Sequence, residues 1–273
     1  MPRLLQSGRS AAIRGATSAV LAAAALALAP LAVAQQQPGG AAATPPRPDL
    51  AQLLRRIDDL YQSRASISVA ELNVVTPRQT RSLRMRIWTR GEDHALVVIQ
   101  APSRERGTAT LRVGNNLWNY LPHIARTIRI PESMMLASWM GSDFSNDDLV
   151  KESSYRRDFQ SSIVGRSTDP VGWLLRMQVR PGVVGRWKRI DMVVSDDGTV
   201  PIQARYYDRR DRLARTMSFE DVRTMDGHRI PTRLVMTPTN DTGHRTELRY
   251  TSIDFDADVP DSTFSLSRLE QAN

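Results

Sequence analysis

The chain has 273 residues, with 37 Lys and Arg against 29 Asp and Glu, and a formal net charge of +8. It contains no cysteine, which excludes a disulfide framework, a zinc ribbon, an iron–sulfur centre and a thiol nucleophile, and offers no site for a bacterial lipid anchor. Charged residues make up 24% and hydrophobic residues 41%, proportions typical of a folded globular protein and not of a disordered chain.

Residues 1–34 have the pattern of a secretory signal peptide. Three arginines precede an apolar run rich in alanine, and Ala32-Val33-Ala34 forms a small-x-small cleavage motif before Gln35. The apolar run of about 18 residues is close to the lower limit for spanning a membrane, so an uncleaved anchor is the alternative. Its alanine-rich composition and the motif favour cleavage between Ala34 and Gln35, which predicts a periplasmic mature protein.

Residues 35–48 are rich in Gln, Pro, Gly and Ala, and we predict a disordered linker because they cannot bury enough apolar area to offset ordering. Residues 49–273 are predicted to form a single domain, since no second linker follows. This domain opens with an apolar stripe at helical spacing, from Leu50 to Tyr61. Asp49 is placed to cap that helix.

After Ser66 the hydrophobic period changes to two. Leu83, Met85 and Ile87 alternate with arginines and a tryptophan, and later runs repeat the pattern. Turn signals such as Asp196-Asp197-Gly198 separate roughly eleven strand candidates. The pattern predicts a mainly β (α+β) fold built from an antiparallel meander of hairpins, and not an alternating β–α–β chain.

One region interrupts the predicted sheet. The run from Glu132 to Gly141 has no period-two alternation and predicts a helix, because Pro131 suits its start and Gly141 its end. A second short helix is predicted to begin at the polar residues 145–148 and to run into Leu149 and Val150.

No arrangement of residues indicates catalysis or metal binding. The histidines at 94, 123, 228 and 244 lack metal-ligand spacing, and no nucleophile elbow, Walker loop or dinucleotide motif occurs. Residues 254–258 resemble the start of a calcium loop but lack its glycine and its closing glutamate, so a turn entering the last strand is expected there. We therefore predict no enzymatic activity, no cofactor and no metal.

Nearly all the positive charge is arginine, placed in the outward positions of the predicted strands. A solvated sheet face accounts for these residues, and attraction to anionic headgroups or to an acidic partner is the alternative. No basic run of five residues occurs, so nucleic acid is not an expected partner.

Large apolar side chains concentrate in residues 117–140. Tryptophan and methionine suit a cavity for variable apolar ligands, and an ordinary core is the alternative. A sheet of about eleven strands can enclose more space than its own side chains fill, so the apolar helix is expected to cover a cavity. The candidate ligand-binding residues are Trp88, Trp118, Leu121, Ile128, Ile130, Met134, Met135, Trp139 and Met140.

Four runs in the middle of the chain form a set. They are Arg106-Gly107-Thr108-Ala109-Thr110-Leu111 and the stretches 116–122, 126–131 and 140–149. Together they resemble the outer-membrane lipoprotein-sorting (LolA-like) proteins of Gram-negative bacteria. The resemblance implies an incomplete, strongly curved antiparallel β-barrel of about 11 strands, with an N-terminal helix and short lid helices.

The resemblance also implies a function. It points to a periplasmic carrier that binds acyl chains of lipoproteins or a related amphiphile in an apolar cavity, for outer-membrane lipoprotein sorting or lipid transport. Candidate partners are the lipoprotein or lipid cargo, an inner-membrane transporter and an outer-membrane acceptor, and a monomer is expected. The alternative is a periplasmic interaction or sensor module associated with an inner-membrane exporter, with no lipid ligand.

Overall fold

A computed structural model of the chain describes residues 45–61, 64–151, 155–183 and 185–271. The predicted signal peptide and the cleavage site at Ala34 and Gln35 lie outside these residues, as does the predicted linker except for residues 45–48. No helix in the described ranges is long and apolar enough to cross a membrane.

The described part of the chain is dominated by thirteen β-strands, two more than the roughly eleven expected from alternation. The shortest strand has four residues and shows only two repeats of the pattern, too few to recognise in a sequence. The bounds are β1 Ala65–Val75, β2 Thr80–Arg90, β3 His94–Ala101, β4 Ala109–Val113, β5 Asn116–Leu121, β6 Arg126–Arg129, β7 Phe159–Thr168, β8 Val171–Val179, β9 Trp187–Val194, β10 Pro201–Asp208, β11 Leu213–Met225, β12 His228–Pro238 and β13 Arg245–Asp254.

All thirteen strands belong to one antiparallel sheet, in the order β6-β5-β4-β3-β2-β1-β13-β12-β11-β10-β9-β8-β7. Neighbours in the sheet are consecutive in the chain except where β1 pairs with β13. Strands β6 and β7 are the two edges, so the sheet is not closed. Val97 of β3 and Met192 of β9 line the same cavity although their strands are far apart in this order, so the sheet is curved. The predicted incomplete antiparallel barrel is confirmed.

Four short α-helices accompany the sheet in the described residues: α1 Leu50–Asp58, α2 Asn146–Lys151, α3 Tyr155–Asp158 and α4 Leu266–Glu270. As predicted, Asp49 caps α1, because its carboxylate accepts a hydrogen bond of 2.8 Å from the Gln52 amide. The sequence predicts a helix that reaches Tyr61, but the helix ends at Asp58.

The helix predicted over residues 132–141 does not form. Only a single 3-10 turn is present, at Glu132–Met134. Met140 takes a positive φ of 51°, and the Trp139 amide donates to the Phe144 carbonyl at 2.7 Å, so the chain turns back on itself. Burial of these two aromatic rings overrides the helical composition of the segment.

The second predicted helix is confirmed as α2. Ser145 is its N-cap residue, since its hydroxyl oxygen accepts a hydrogen bond from the Asp148 amide at 3.3 Å. Asp148 reciprocates, because its Oδ2 accepts from the Ser145 amide at 2.7 Å. This reciprocal capping box stabilises a helix that would be too short to form alone.

The sheet carries a hydrophobic core on each face. In β3, Val97 and Ile99 belong to one core, together with α1 and Trp139, and we call this side the inner face. Leu96 and Val98 point to the outer face. The outer core is completed by the C-terminal segment, residues 255–270, which contributes Ala257, Val259, Phe264 and Leu269.

One end of the sheet is closed by a third apolar cluster. Leu60, just after α1, packs there with Val200, Ile230 and Phe255, which lie at or beside strand ends. Asp254 ends β13, and the turn follows this last strand at residue 255 instead of leading into it, as the sequence had suggested. Within the described ranges, no three acidic or histidine side chains are grouped as metal ligands would be.

Candidate functional site

A cavity of about 300 Å³ lies between the inner face, α1 and residues 139–149, which we call the lid segment. Its wall is mainly apolar, with inward-facing strand residues on two sides and aromatic rings of the lid segment on the third. The apolar lining comprises Ile57, Leu60, Met85, Ile87, Val97, Leu117, Trp139, Phe144, Leu149, Met192, Met217, Phe219, Leu234, Leu248 and Tyr250.

Hydrogen bonds hold the start of the lid segment on the sheet. The buried Trp139 indole Nε1 donates to Thr110 Oγ1 at 3.1 Å, and that hydroxyl donates to Asn119 Oδ1 at 2.8 Å. Arg81 Nη2 donates to the Met140 carbonyl at 2.8 Å. The Trp139 ring is therefore fixed as part of the cavity wall.

A buried ion pair holds the far end of the lid segment. Arg215 of β11 donates from both terminal nitrogens to the Asp148 carboxylate, at 2.7 and 2.6 Å, and the two side chains are only 3% and 5% exposed. The guanidinium also lies over the rings of Trp187 and Tyr206, 4.4 and 4.6 Å from their centroids. Burial alone would raise the pKa of Asp148, but the charge and hydrogen bonds of Arg215 and the bonds from Ser145 outweigh it and lower that pKa.

A third contact ties the middle of the lid segment to β13. The Asp143 amide donates to Thr246 Oγ1 at 2.9 Å, and the Thr246 hydroxyl donates to Asp143 Oδ2 at 2.7 Å. Burial raises the pKa of Asp143 even though the Thr246 bond opposes the shift. The lid segment is thus bonded to strands on both sides of the cavity, to β2 and β4 and to β11 and β13.

One end of the cavity wall is polar. Asp58 at the end of α1 accepts a hydrogen bond from Arg156 Nε of α3, and Glu92 Oε1 lies 3.9 Å from Arg156 Nη2. Arg112 Nη1 donates to the Leu149 carbonyl at 3.0 Å, and burial lowers the pKa of its guanidinium. The cavity therefore has an apolar body and a charged end, and this distribution of polarity suits an amphiphilic ligand.

The nine candidate residues from the sequence do not come together at one place. Trp139 lies in the cavity wall. Met140 is half-buried and packs against the inner core. Trp88 and Trp118 lie on the outer face, against the core that the C-terminal segment completes. Trp88 stands on the same face of β2 as the exposed Arg84 and Arg86, and this phase is the sequence signal for its outward position.

The other five candidates lie on or near edge strand β6. Ile128 and Met134 are exposed, and Leu121, Ile130 and Met135 are half-buried. None of these five residues lines the cavity.

The strand residues of the cavity wall were not singled out from the sequence. Met192, Met217 and Leu234 occupy inward positions in strands whose residues alternate between the two faces. Their alternation indicates that they face inward, but an inward side chain has the same pattern whether it meets another side chain or an empty space. The sequence gives no signal that Asp58 lines the cavity, because an aspartate near a helix end is common on a solvent-exposed surface.

Comparison with known proteins identifies a matching family model and solved structures that share this architecture. The model of a family described as "Uncharacterized protein" matches residues 91–271, more than half of the chain. A DUF1329 family protein from Desulfovibrio piger has a similar fold, with a TM-score of 0.71 and 24% identity over 80% of this chain and 96% of that chain. No curated protein matches the sequence.

Two further solved structures share the fold. A LolA superfamily protein from Nitrosomonas europaea has a TM-score of 0.68 and 20% identity, covering 81% of this chain and 100% of its own. An outer membrane lipoprotein-sorting protein domain from Vibrio parahaemolyticus has a TM-score of 0.68 and 20% identity, covering 81% of this chain and 96% of its own. At these identities the likeness is one of fold.

Proposed function

We propose that the chain, which matches the family model over residues 91–271 and shares its fold with LolA superfamily proteins, is a LolA-like periplasmic carrier for acyl chains of lipoproteins or of a related amphiphile. The observation that carries the proposal is the apolar cavity of about 300 Å³ between the inner face and the lid segment. Each methylene group moved from water into such a cavity contributes about 0.8 kcal/mol, so a carrier can shield an acyl chain without doing chemistry on it.

The size of the cavity indicates how cargo would enter. About 300 Å³ is the lower end of the range for small-molecule sites, so a whole lipid needs more room than the closed state offers. Displacement of the lid segment would provide that room, as a population shift favoured by the cargo. We propose that the candidate residues near β6, Leu121, Ile128, Ile130, Met134 and Met135, contact cargo in that open state, together with Trp139 and Met140.

The cellular setting follows from the same proposal. A signal peptide cleaved between Ala34 and Gln35 would release the domain into the periplasm. There it would act as a monomer that accepts cargo from an inner-membrane transporter and delivers it to an outer-membrane acceptor.

The test is to purify the full-length chain after expression in a Gram-negative host, record native mass spectra, and then extract bound material into organic solvent. We expect stoichiometric lipid or lipopeptide. Met217→Trp places a larger ring in the cavity wall and is expected to reduce bound lipid severely. Val222→Trp, at an exposed position of the same strand, should leave it unchanged.

A mass without ligand in every sample, with no gain on adding acylated peptide or phospholipid, would contradict the carrier function. That result would favour the interaction module associated with an exporter. Circular dichroism of each variant separates loss of binding from loss of fold.

A further inference from the structure

One buried oxygen in the cavity wall has no hydrogen-bond partner. Asp58 is the last residue of α1, and its side chain is 3% exposed. Its Oδ2 accepts from Arg156 Nε, whereas its Oδ1 is buried and accepts no hydrogen bond. Buried carboxylate oxygens are nearly always bonded, because an unpaired one loses its hydration without compensation.

The other buried charges of the wall are already satisfied. The Asp148 carboxylate takes two bonds from Arg215 and two more from Ser145. Arg112 donates to the carbonyls of Gly114 and Leu149. Among the described residues that line the cavity, Asp58 is the one with a buried polar side-chain atom that lacks a partner.

The surroundings of Asp58 define which kind of ligand group could form a hydrogen bond with its Oδ1. Ile57 and Leu60, on either side of it in the chain, line the apolar part of the cavity, and Glu92 adds a second carboxylate at the same wall. A ligand group at this point must donate a hydrogen bond to Oδ1. A free carboxylate cannot donate, and it would be repelled by both acidic side chains.

We propose that Asp58 anchors the polar head of the cargo, and that this head carries an N–H or O–H donor directly at the end of its acyl chain. An acyl amide, with the donor one atom from the chain, is the simplest group of this class. In this arrangement the chain lies along the apolar wall and the amide N–H donates to Asp58 Oδ1. The inference rests on the carrier function proposed above and narrows the cargo to donor-bearing amphiphiles.

The test compares three probes with the same twelve-carbon acyl chain: dodecanamide, methyl dodecanoate and dodecanoate. Binding to the full-length, delipidated chain is followed by tryptophan fluorescence, since Trp139 lies in the cavity wall. We expect the amide to bind roughly tenfold or more tightly than the ester, because a hydrogen bond to a charged group is gained, and the anion to bind weakest.

Asp58→Asn then tests the residue itself. The Arg156 guanidinium only donates, so it retains the amide oxygen of the new side chain and leaves the amino group in the place of Oδ1. The cavity then presents a donor where it had presented an acceptor, and the preference for the amide over the ester should disappear or reverse. Asp59→Asn, at the exposed next residue, should keep the wild-type ranking.

Equal affinity of the wild type for amide and ester, or an amide preference that survives Asp58→Asn, would overturn the inference while leaving the carrier function intact. Failure of all three probes to bind the wild type would overturn both. If Asp58→Asn does not fold, the ranking of the probes on the wild type decides the question.

Discussion

Asp148 and Arg215 join the lid segment to β11 through a pair of charges that are both buried. Asp148→Asn would remove the negative charge that both terminal nitrogens of the buried Arg215 guanidinium contact. We expect the free energy of unfolding to fall by about 3–5 kcal/mol, measured by urea denaturation at neutral pH. Asp196→Asn, which removes a partly exposed partner of Arg166, should cost no more than about 1 kcal/mol.

The pH dependence of the same variant checks the cause. The folded-state pKa of Asp148 lies below its usual value of 3.8, so its contribution to stability is present above that pH and is lost as the pH falls through the folded-state pKa. The stability difference between wild type and Asp148→Asn should therefore shrink below about pH 4. A difference that stays constant there would mean that packing, and not the charge, is what the variant loses.

Strands β8 and β9 approach each other closely at Gly172. A β-carbon at this position would lie 2.2 Å from the Val194 carbonyl oxygen and 2.8 Å from Val193 Cγ1. Because the first of these is a backbone atom, the strand must shift to accept Gly172→Ala, and we expect a loss of about 1–3 kcal/mol in thermal unfolding. Val171→Ala, at the exposed preceding residue, should change stability by less than about 0.5 kcal/mol. Equal effects of the two substitutions would show that the close approach does not constrain the pair of strands.

At the level of elements, the sequence predicts strands better than the lid segment. Leu83 and Met85 face inward and Arg84 and Arg86 face outward, as the alternation indicates, because a strand shows its two faces in adjacent residues. Residues 132–141 have a helical composition, yet they form turns. Their conformation depends on contacts with strands far away in the chain, which a local pattern does not contain.

The C-terminal segment, residues 255–270, packs on the outer face of strands β1 to β5, and we expect the stability of the whole molecule to depend on this contact. Leu269 is fully buried there, beside Phe264, with the partly buried Trp88 and Trp118 packed on the same core. We expect Leu269→Ala to cost about 2–5 kcal/mol in urea denaturation and to shift tryptophan emission to longer wavelength. Leu266→Ala, in the same helix but 45% exposed, should do neither. A stable Leu269→Ala variant with unchanged emission would show that the outer core does not need this segment.

The fold class and the inner and outer faces of the strands were predictable, since both follow from short-range periodicity. The cavity wall was predictable only at Trp139, which stands in a run of large apolar residues. Met217 and Leu234 belong to the wall because strands distant in the sequence curve towards each other and leave space between them. The pairing of β1 with β13 and the outer position of the C-terminal segment are likewise long-range, so they could not be read from local patterns.

The pairing of β1 with β13 places the start and the end of the domain side by side in the interior of the sheet. The gap in the barrel therefore falls in mid-chain, between β6 and β7, which are consecutive in the sequence. The lid segment belongs to the single connection that bridges this gap, so the chain joins it to both edge strands, β6 and β7. In the proposed carrier, cargo that displaced the lid segment would pull on both edge strands at once, and the length of this connection would limit how far they could separate.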